Sequence, residues 1–233
     1  MKVIEKLEEV IGSGRIRQQE SLATHTLDAK EGIAEFYTEI DTVDDLVKLV
    51  RQARLAQVSV FILGSGSSIT IPKEGVQGLV IKNNCHRFDT MSVRGTMKGD
   101  QMGVRDIMIS AESGVLTNQL VRFTLEEGLE GLEYQLGLPG TVGGAIATNA
   151  KYSSPTVPAK YVKDFLYSMR ILHEDGEIQT YTKDLPYFIL DEAFETKDVI
   201  LSVAFKLLPG DKKVLWESGQ EAVEYRNKFK DKK

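Results

Sequence analysis

The groups in this 233-residue chain best placed to do chemistry are main-chain amides rather than side chains. From Glu127 to Ala150 the sequence reads EGLEGLEYQLGLPGTVGGAIATNA, with six glycines, Gly128, Gly131, Gly137, Gly140, Gly143 and Gly144, and one proline, Pro139. Glycine has no Cβ, so such a segment takes positive φ and comes close to a neighbour, while Pro139 fixes φ as a rigid turn would. Bare amides in apolar surroundings suit a flat, partly apolar ligand that carries phosphates. A buried turn between two packed elements would have the same composition.

A second stretch, LGSGSSIT from Leu63 to Thr70, offers Gly64 and Gly66 for a tight turn and the hydroxyls of Ser65, Ser67 and Ser68 as donors, a combination able to cradle a pyrophosphate. It lacks the lysine of a P-loop and the third glycine of a Rossmann fingerprint, and Pro72 and Gly75 lead into another strand rather than a helix. His25, set between hydroxyl residues in SLATHT, reads as a hydrogen-bonded loop residue. Arg170 and Lys151 are candidates for binding an anion by charge alone.

Composition narrows the class of protein. An apolar fraction of 42% and a charged fraction of 27% describe a globular chain with its own core. The net charge of −5 argues against a nucleic-acid binder, and the basic cluster Lys228, Lys230, Lys232 and Lys233 reads as a solvated helix end or tail. Cys85 is the only cysteine, so neither an intramolecular disulfide nor a thiolate metal site is expected. No signal-peptide pattern or stretch of about 18 apolar residues occurs, so the expected location is the cytoplasm, away from membranes.

The elements that must position the two turns follow from periodicity. A short helix is expected over residues 2–11, then a polar irregular segment from Arg15 to Glu31, a strand from Ile33 to Ile40, and a Thr42-capped helix from Val43 to about Ala56. Val58 to Gly64 reads as a buried strand that completes a β-α-β unit, and Val76 to Ile81 as another strand. Asn83 to Met102 reads as a polar connection without ligand geometry, Val104 to Ser113 as a strand, and Leu116 to Glu127 as a helix ended by Gly128, with Leu116, Leu120 and Phe123 inward. Strands at Phe165 to Leu172, up to about Thr182, and at Val199 to Leu207 precede a C-terminal helix facing inward through Val214, Ala222, Tyr225 and Phe229.

With LGSGSSIT and GLEGLEYQLGLPGTVGGAIATNA in view, the chain resembles the flavin-binding part of the MurB family, the UDP-N-acetylenolpyruvoylglucosamine reductases of peptidoglycan synthesis. Further anchors are THT at Thr24 to Thr26, GLVI at Gly78 to Ile81 and VILSVAFKLLPGD at Val199 to Asp211, so the likeness covers about residues 20 to 230. It implies an α+β, two-subdomain FAD-binding fold of the vanillyl-alcohol-oxidase-like (PCMH-type) superfamily. The expected organisation is an N-terminal helical segment (1–20), subdomain 1 (21–82), subdomain 2 (83–211) and a C-terminal helix with a basic tail (212–233). It also implies FAD between the subdomains, its pyrophosphate on Gly64, Ser65, Gly66, Ser67 and Ser68. Leu138, Pro139, Gly140, Thr141, Gly143, Gly144 and Ala145 would lie along the pyrophosphate and flavin side, with Thr148 and Asn149 nearby. No histidine stands in the first loop, so the FAD is expected to be non-covalent.

The family activity implied is NADPH-dependent reduction of UDP-N-acetylglucosamine enolpyruvate, and two departures bear on it. The resemblance places a substrate domain, with a proton-donating serine and a glutamate that stabilises the enol, beyond Lys233; the expected partners are a separately encoded substrate domain or a second copy of the chain in a homo-oligomer. In DLPYFILDEAF, Asp184 to Phe194, Leu190 falls where the family has its catalytic arginine. Negative charge that develops on a carboxylate needs a fixed cation, and leucine supplies none, so the alternative is a flavin-binding homologue without reductase activity.

Overall fold

The computed structural model describes residues 3–27, 32–98, 101–182 and 197–230. In chain order the elements are α1 (Val3–Ile11), β1 (Arg17–Ser21), β2 (Ile33–Ile40), α2 (Val43–Leu55), β3 (Val60–Leu63), β4 (Val76–Asn83), β5 (Phe88–Lys98), β6 (Gln101–Glu112), α3 (Thr117–Glu126) and β7 (Leu129–Glu130). There follow α4 (Val142–Ala147), β8 (Lys151–Tyr152), β9 (Lys160–Tyr161), β10 (Leu166–Leu172), β11 (Ile178–Thr182), β12 (Val199–Pro209) and α5 (Lys212–Lys230).

The first sheet has the order β1-β2-β4-β3. β4 lies parallel to both β2 and β3; α2 provides the crossover from β2 to β3, and residues 64–75 make the one from β3 to β4. The Thr42 hydroxyl starts this helix by accepting the Asp45 amide proton at 3.2 Å, with Asp44 and Asp45 at the positive end of its dipole. The second sheet is antiparallel, in the order β11-β10-β12-β6-β5, with β7 beside the end of β12. Its inner face carries Ile109, Val203, Phe205 and Ile171, packed on Leu120, Val121 and Leu125 of α3, Val142 and Ala145 of α4, and Leu215 of α5. A separate core joins the sheets, since Leu46, Leu49 and Val50 of α2 pack with Leu79 and Ile81 of β4 and with Leu172, Val199 and Leu201 of the second sheet. Arg51 reinforces the junction by donating to the Gly176 carbonyl at 2.6 and 2.8 Å, and Arg54 donates to the His173 and Lys197 carbonyls.

Several expectations are corrected. The polar segment after Arg15 contains β1, and the connection expected from Asn83 to Met102 contains β5; both are edge strands, for which polar sequence is no obstacle because one side faces water. Leu116 is 49% exposed because it precedes the first turn of α3 instead of lying on its inner face. On α5 Ala222 is fully buried and Tyr225 half-buried, as expected, but at the start of the helix Leu215 takes the inward place and Val214 is 57% exposed. α5 packs chiefly on α3 and on the 3-10 turn at Glu133–Gln135, and reaches the second sheet through Leu215 near β7. The segment Asp184 to Phe194, Leu190 included, lies outside the described residues.

Cys85 is fully buried just beyond β4, and burial pushes its thiol pKa up to about 12. The native protein is therefore expected to resist a thiol-disulfide reagent such as DTNB at pH 8 and to react in 6 M guanidinium. Stoichiometric labelling of the native state within minutes would mean that this core opens readily.

Candidate functional site

β3 ends at Leu63, and the chain then turns through Gly64 to Ser68 at the junction of the sheets. This strand was expected to be buried. Instead Val60, Phe61 and Ile62 are half-buried, since they form one wall of an open cleft of about 520 Å³. Gly64, Ser65, Gly66, Ser67 and Ser68 continue that wall; Leu138, Pro139, Gly140, Thr141, Gly144, Ala145 and Thr148 stand opposite. A volume of this size is typical of cofactor sites. Gly143 lines a smaller adjoining hollow of about 130 Å³, together with Asn83 and Ser113, and Asn149 lines neither space.

The two turns touch. A Cβ on Gly64 would lie 2.6 Å from the Thr141 hydroxyl oxygen, and one on Gly140 would lie 2.9 Å from the Ser67 hydroxyl oxygen. Behind the first turn, Gly66 has φ +69° and its backbone abuts the main chain of His25 and Thr26. The Gly66 carbonyl accepts the Leu27 amide proton at 3.0 Å. That backing segment is held in turn. His25 bonds to Glu20 and to the Tyr37 hydroxyl, each at 3.0 Å, and stacks on the Tyr37 ring. Burial first, and the Glu39 carboxylate second, raise the Tyr37 phenol above its ordinary pKa, keeping it a neutral donor to Glu39. His25 is thus a positioning element behind the turn, in line with the sequence-based reading of a hydrogen-bonded loop residue.

The two glycine segments differ in a way that composition conceals. In the second, the amides of Val142, Gly143, Gly144 and Ala145 donate to the Val115 carbonyl, the Ser113 carbonyl, the Thr141 hydroxyl and the Thr141 carbonyl respectively. These bonds build α4, so the expectation of bare amides is corrected there; Gly143 and Gly144 serve close approach. In the first turn, the amides of Ser65, Gly66, Ser67 and Ser68 donate no hydrogen bond among the described residues, and the Ser65 hydroxyl is buried without a partner. Buried polar groups are rarely left unpaired, so this turn offers donors to an acceptor-rich ligand.

Side chains at the rim come from a stretch the motifs did not mark. Lys197 and Asp198, just before β12, and Val199, its first residue, line the cleft. The Lys197 ammonium pairs with Glu174 at 2.6 Å, and Asp198 bonds to His173 at 2.9 Å. The only hint in sequence was their place before a strand that returns to the domain junction. Among the described residues no group of His, Cys, Asp and Glu is arranged for a metal, and no helix is long and apolar enough to cross a membrane.

A diphosphate-sized cleft between two α+β units, with free amides on one wall and a close-packed glycine wall opposite, is the arrangement of a dinucleotide-type cofactor site, and residues 34–182 match the family described as FAD binding domain. The chain belongs to that family of FAD-binding domains. Among curated relatives it is 31% identical, over 218 residues and 92% of its length, to the UDP-N-acetylenolpyruvoylglucosamine reductase of Streptococcus pneumoniae strain 70585, and spans 66% of that enzyme. It spans 63% of the corresponding reductase of strain R6, again at 31% identity. In fold it is similar to the Thermus caldophilus reductase MurB, with a TM-score of 0.67 and 22% identity over 91% of this chain and 70% of that one. A VAO-type flavoprotein of Myceliophthora thermophila aligns with a TM-score of 0.55 and 15% identity over 77% of this chain and 32% of that one. The architecture is therefore the α+β, two-subdomain FAD-binding fold of MurB and the VAO-type flavoproteins.

Proposed function

We propose that this chain binds FAD without a covalent link and acts as the flavin-carrying part of a MurB-type oxidoreductase. The pyrophosphate would lie on the turn from Gly64 through Ser68. Leu138, Pro139, Gly140, Thr141, Gly143, Gly144 and Ala145 would stand along the cofactor, with Thr148 and Asn149 nearby. The reading is carried by the first turn, with its unengaged amides facing a second turn across an open cleft. The chemistry of the residues fits: among the described lining residues the one lysine, Lys197, is already paired with Glu174, so main-chain donors are left to meet the phosphate charge. Among the described residues that line the cleft there is no histidine or cysteine, which supports non-covalent attachment. FAD, when bound, supplies the capacity to accept a hydride from NADPH and pass it on. The chain's own share is to fix the cofactor's position and to exclude water from one side of it.

The relatives' names point to UDP-N-acetylglucosamine enolpyruvate as the substrate. We infer that this chain alone turns it over poorly, because the resemblance sets Leu190 at the place of the arginine that would meet the developing carboxylate charge. Loss of such an interaction commonly costs about 100-fold or more in rate. Two measurements test the reading. Purified protein should be yellow and release free FAD on heating; a colourless protein that takes up no FAD would end the proposal. NADPH oxidation by the loaded protein should rise little when the enolpyruvyl substrate is added. Substrate-dependent oxidation at an ordinary enzymatic rate would instead show that other residues stand in for the arginine.

A further inference from the structure

Away from the cleft, the outer face of the second sheet carries a cluster that nothing in the flavin site uses. Asp106 on β6 is 1% exposed at its side chain, yet three cations converge on it: Arg105 Nε lies 3.1 Å and Lys206 Nζ 3.6 Å from Oδ2, and Arg94 Nε 3.8 Å from Oδ1. Ile107, Ile109 and Ala111 of β6 face the helices, so Asp106 points to the opposite side. Arg105 would point away from Asp106 in a regular strand. However, the register passes from Arg94 opposite Asp106 to Gly95 opposite Val104, which leaves Arg105 as the extra residue of a β-bulge. Bulges re-aim side chains, and this one brings the Arg105 guanidinium onto the face shared by Arg94 and Lys206.

We propose that Arg94, Arg105 and Lys206, held from below by Asp106, form a binding site for a phosphate monoester. Three cations against one carboxylate leave two positive charges, which a phosphate dianion balances. Both arginines approach Asp106 through Nε, and among the described residues their terminal nitrogens make no hydrogen bond. Those forks, on side chains 50% and 63% exposed, are free to take phosphate oxygens in pairs. Asp106 Oδ1 is buried without a hydrogen-bond donor and lies nearest the most loosely held arginine, so the carboxylate orients the cations without occupying them fully. Seven residue steps along β6 and its extension carry the chain from Asp106 to Ser113 beside the cleft, about 24 Å at strand rise, so the site is distinct from the flavin's and does not rest on that assignment.

The test is a titration of FAD-saturated protein with inorganic phosphate at low ionic strength, followed by 31P NMR and calorimetry. Saturable binding with one phosphate per chain is expected. The Arg94→Gln, Arg105→Gln double variant should weaken it by about tenfold or more, with flavin content unchanged. Arg122→Gln, which removes an exposed arginine from α3, should leave the dissociation constant within about twofold. Glucose 6-phosphate and vesicles containing phosphatidic acid then separate the sources of the ester: competition by the first assigns a soluble metabolite, and sedimentation with the second alone assigns a lipid headgroup. No saturable binding to the wild type, an unchanged constant in the double variant, or an equal loss in Arg122→Gln would overturn the proposal.

Discussion

Replacing Gly66 by alanine is expected to abolish FAD retention during purification and to raise the dissociation constant for FAD by at least about 100-fold, a change of about 2.7 kcal/mol. Two costs meet at this residue. Its φ of +69° lies in the left-handed region, where an L side chain costs about 1 to 2 kcal/mol. The new Cβ would also sit on the His25 carbonyl oxygen and 2.7 Å from Thr26 Cα. Neither obstacle is the end of a flexible side chain, so overpacking adds about 1 to 3 kcal/mol. The backing segment cannot retreat without breaking the bonds of His25 to Glu20 and Tyr37. The strain is relieved most readily in the turn itself, by rotating the amides of Ser65 to Ser68 away from the cleft. Gly14→Ala is the control, for its φ is +77° but nothing lies within 4 Å of the added Cβ. It should cost only about 1 kcal/mol in denaturant unfolding and leave FAD binding intact. Flavin fluorescence quenching measures both variants, and a Gly66→Ala protein that binds FAD within about threefold of wild type would show that the turn is not the phosphate cradle.

How much of this was legible beforehand depended on whether a residue's role is local. The Thr42 cap, the extent of α2 and the Gly128 helix stop were readable because each acts within one or two turns of its own chain. Strands β1 and β5 were not, since their residues, such as RQQES, gain their order from a neighbour on one side only, and a solvated edge imposes no apolar pattern. The misplacement of Val214 at the start of α5 has the same origin. Leu215 and Ala222 face inward because α3 and the turn at Glu133–Gln135 lie there, and a helix with apolar residues on more than one side does not announce which side will be covered.

The site followed this division. Both glycine turns were visible as composition, but their division of labour was not. Whether an amide is free depends on carbonyls elsewhere in the sequence, and Ser113 and Val115, which take the protons of Gly143 and Val142, lie about thirty residues away. Lys197 and Asp198 were invisible for a related reason: only the return of β12 to the junction carries them to the rim.

The second large effect is expected at Gly114, where backbone strain has no part. Alanine there would set a Cβ 2.5 Å from the Cys85 carbonyl oxygen, 2.7 Å from the Asn83 carbonyl oxygen and 2.7 Å from the Cys85 amide nitrogen. All three atoms are main chain, in the link that leaves β4, so the two sheets meet here backbone to backbone and no rotamer change makes room. The cost should reach the top of the usual range for overpacking, about 3 kcal/mol, and lower the melting temperature by about 6 to 12 °C for a chain of this size. Stability is only half of the expectation. Ser113, adjacent to the substitution, receives the Asn83 side-chain amide at 2.8 Å and the Gly143 amide at 2.8 Å, and donates to the Leu201 carbonyl at 3.0 Å. Val115, on the other side, receives the Val142 amide. Moving residues 113–115 therefore moves the start of α4 away from the first turn, and the close approach between Gly64 and Thr141 opens with it. Calorimetry should report the lost stability with and without FAD. Because the cleft itself is sprung, added FAD should restore less of the melting temperature than it adds to the wild type. Equal FAD-induced shifts in the two proteins would place Gly114 in the fold alone and separate the junction from cofactor binding.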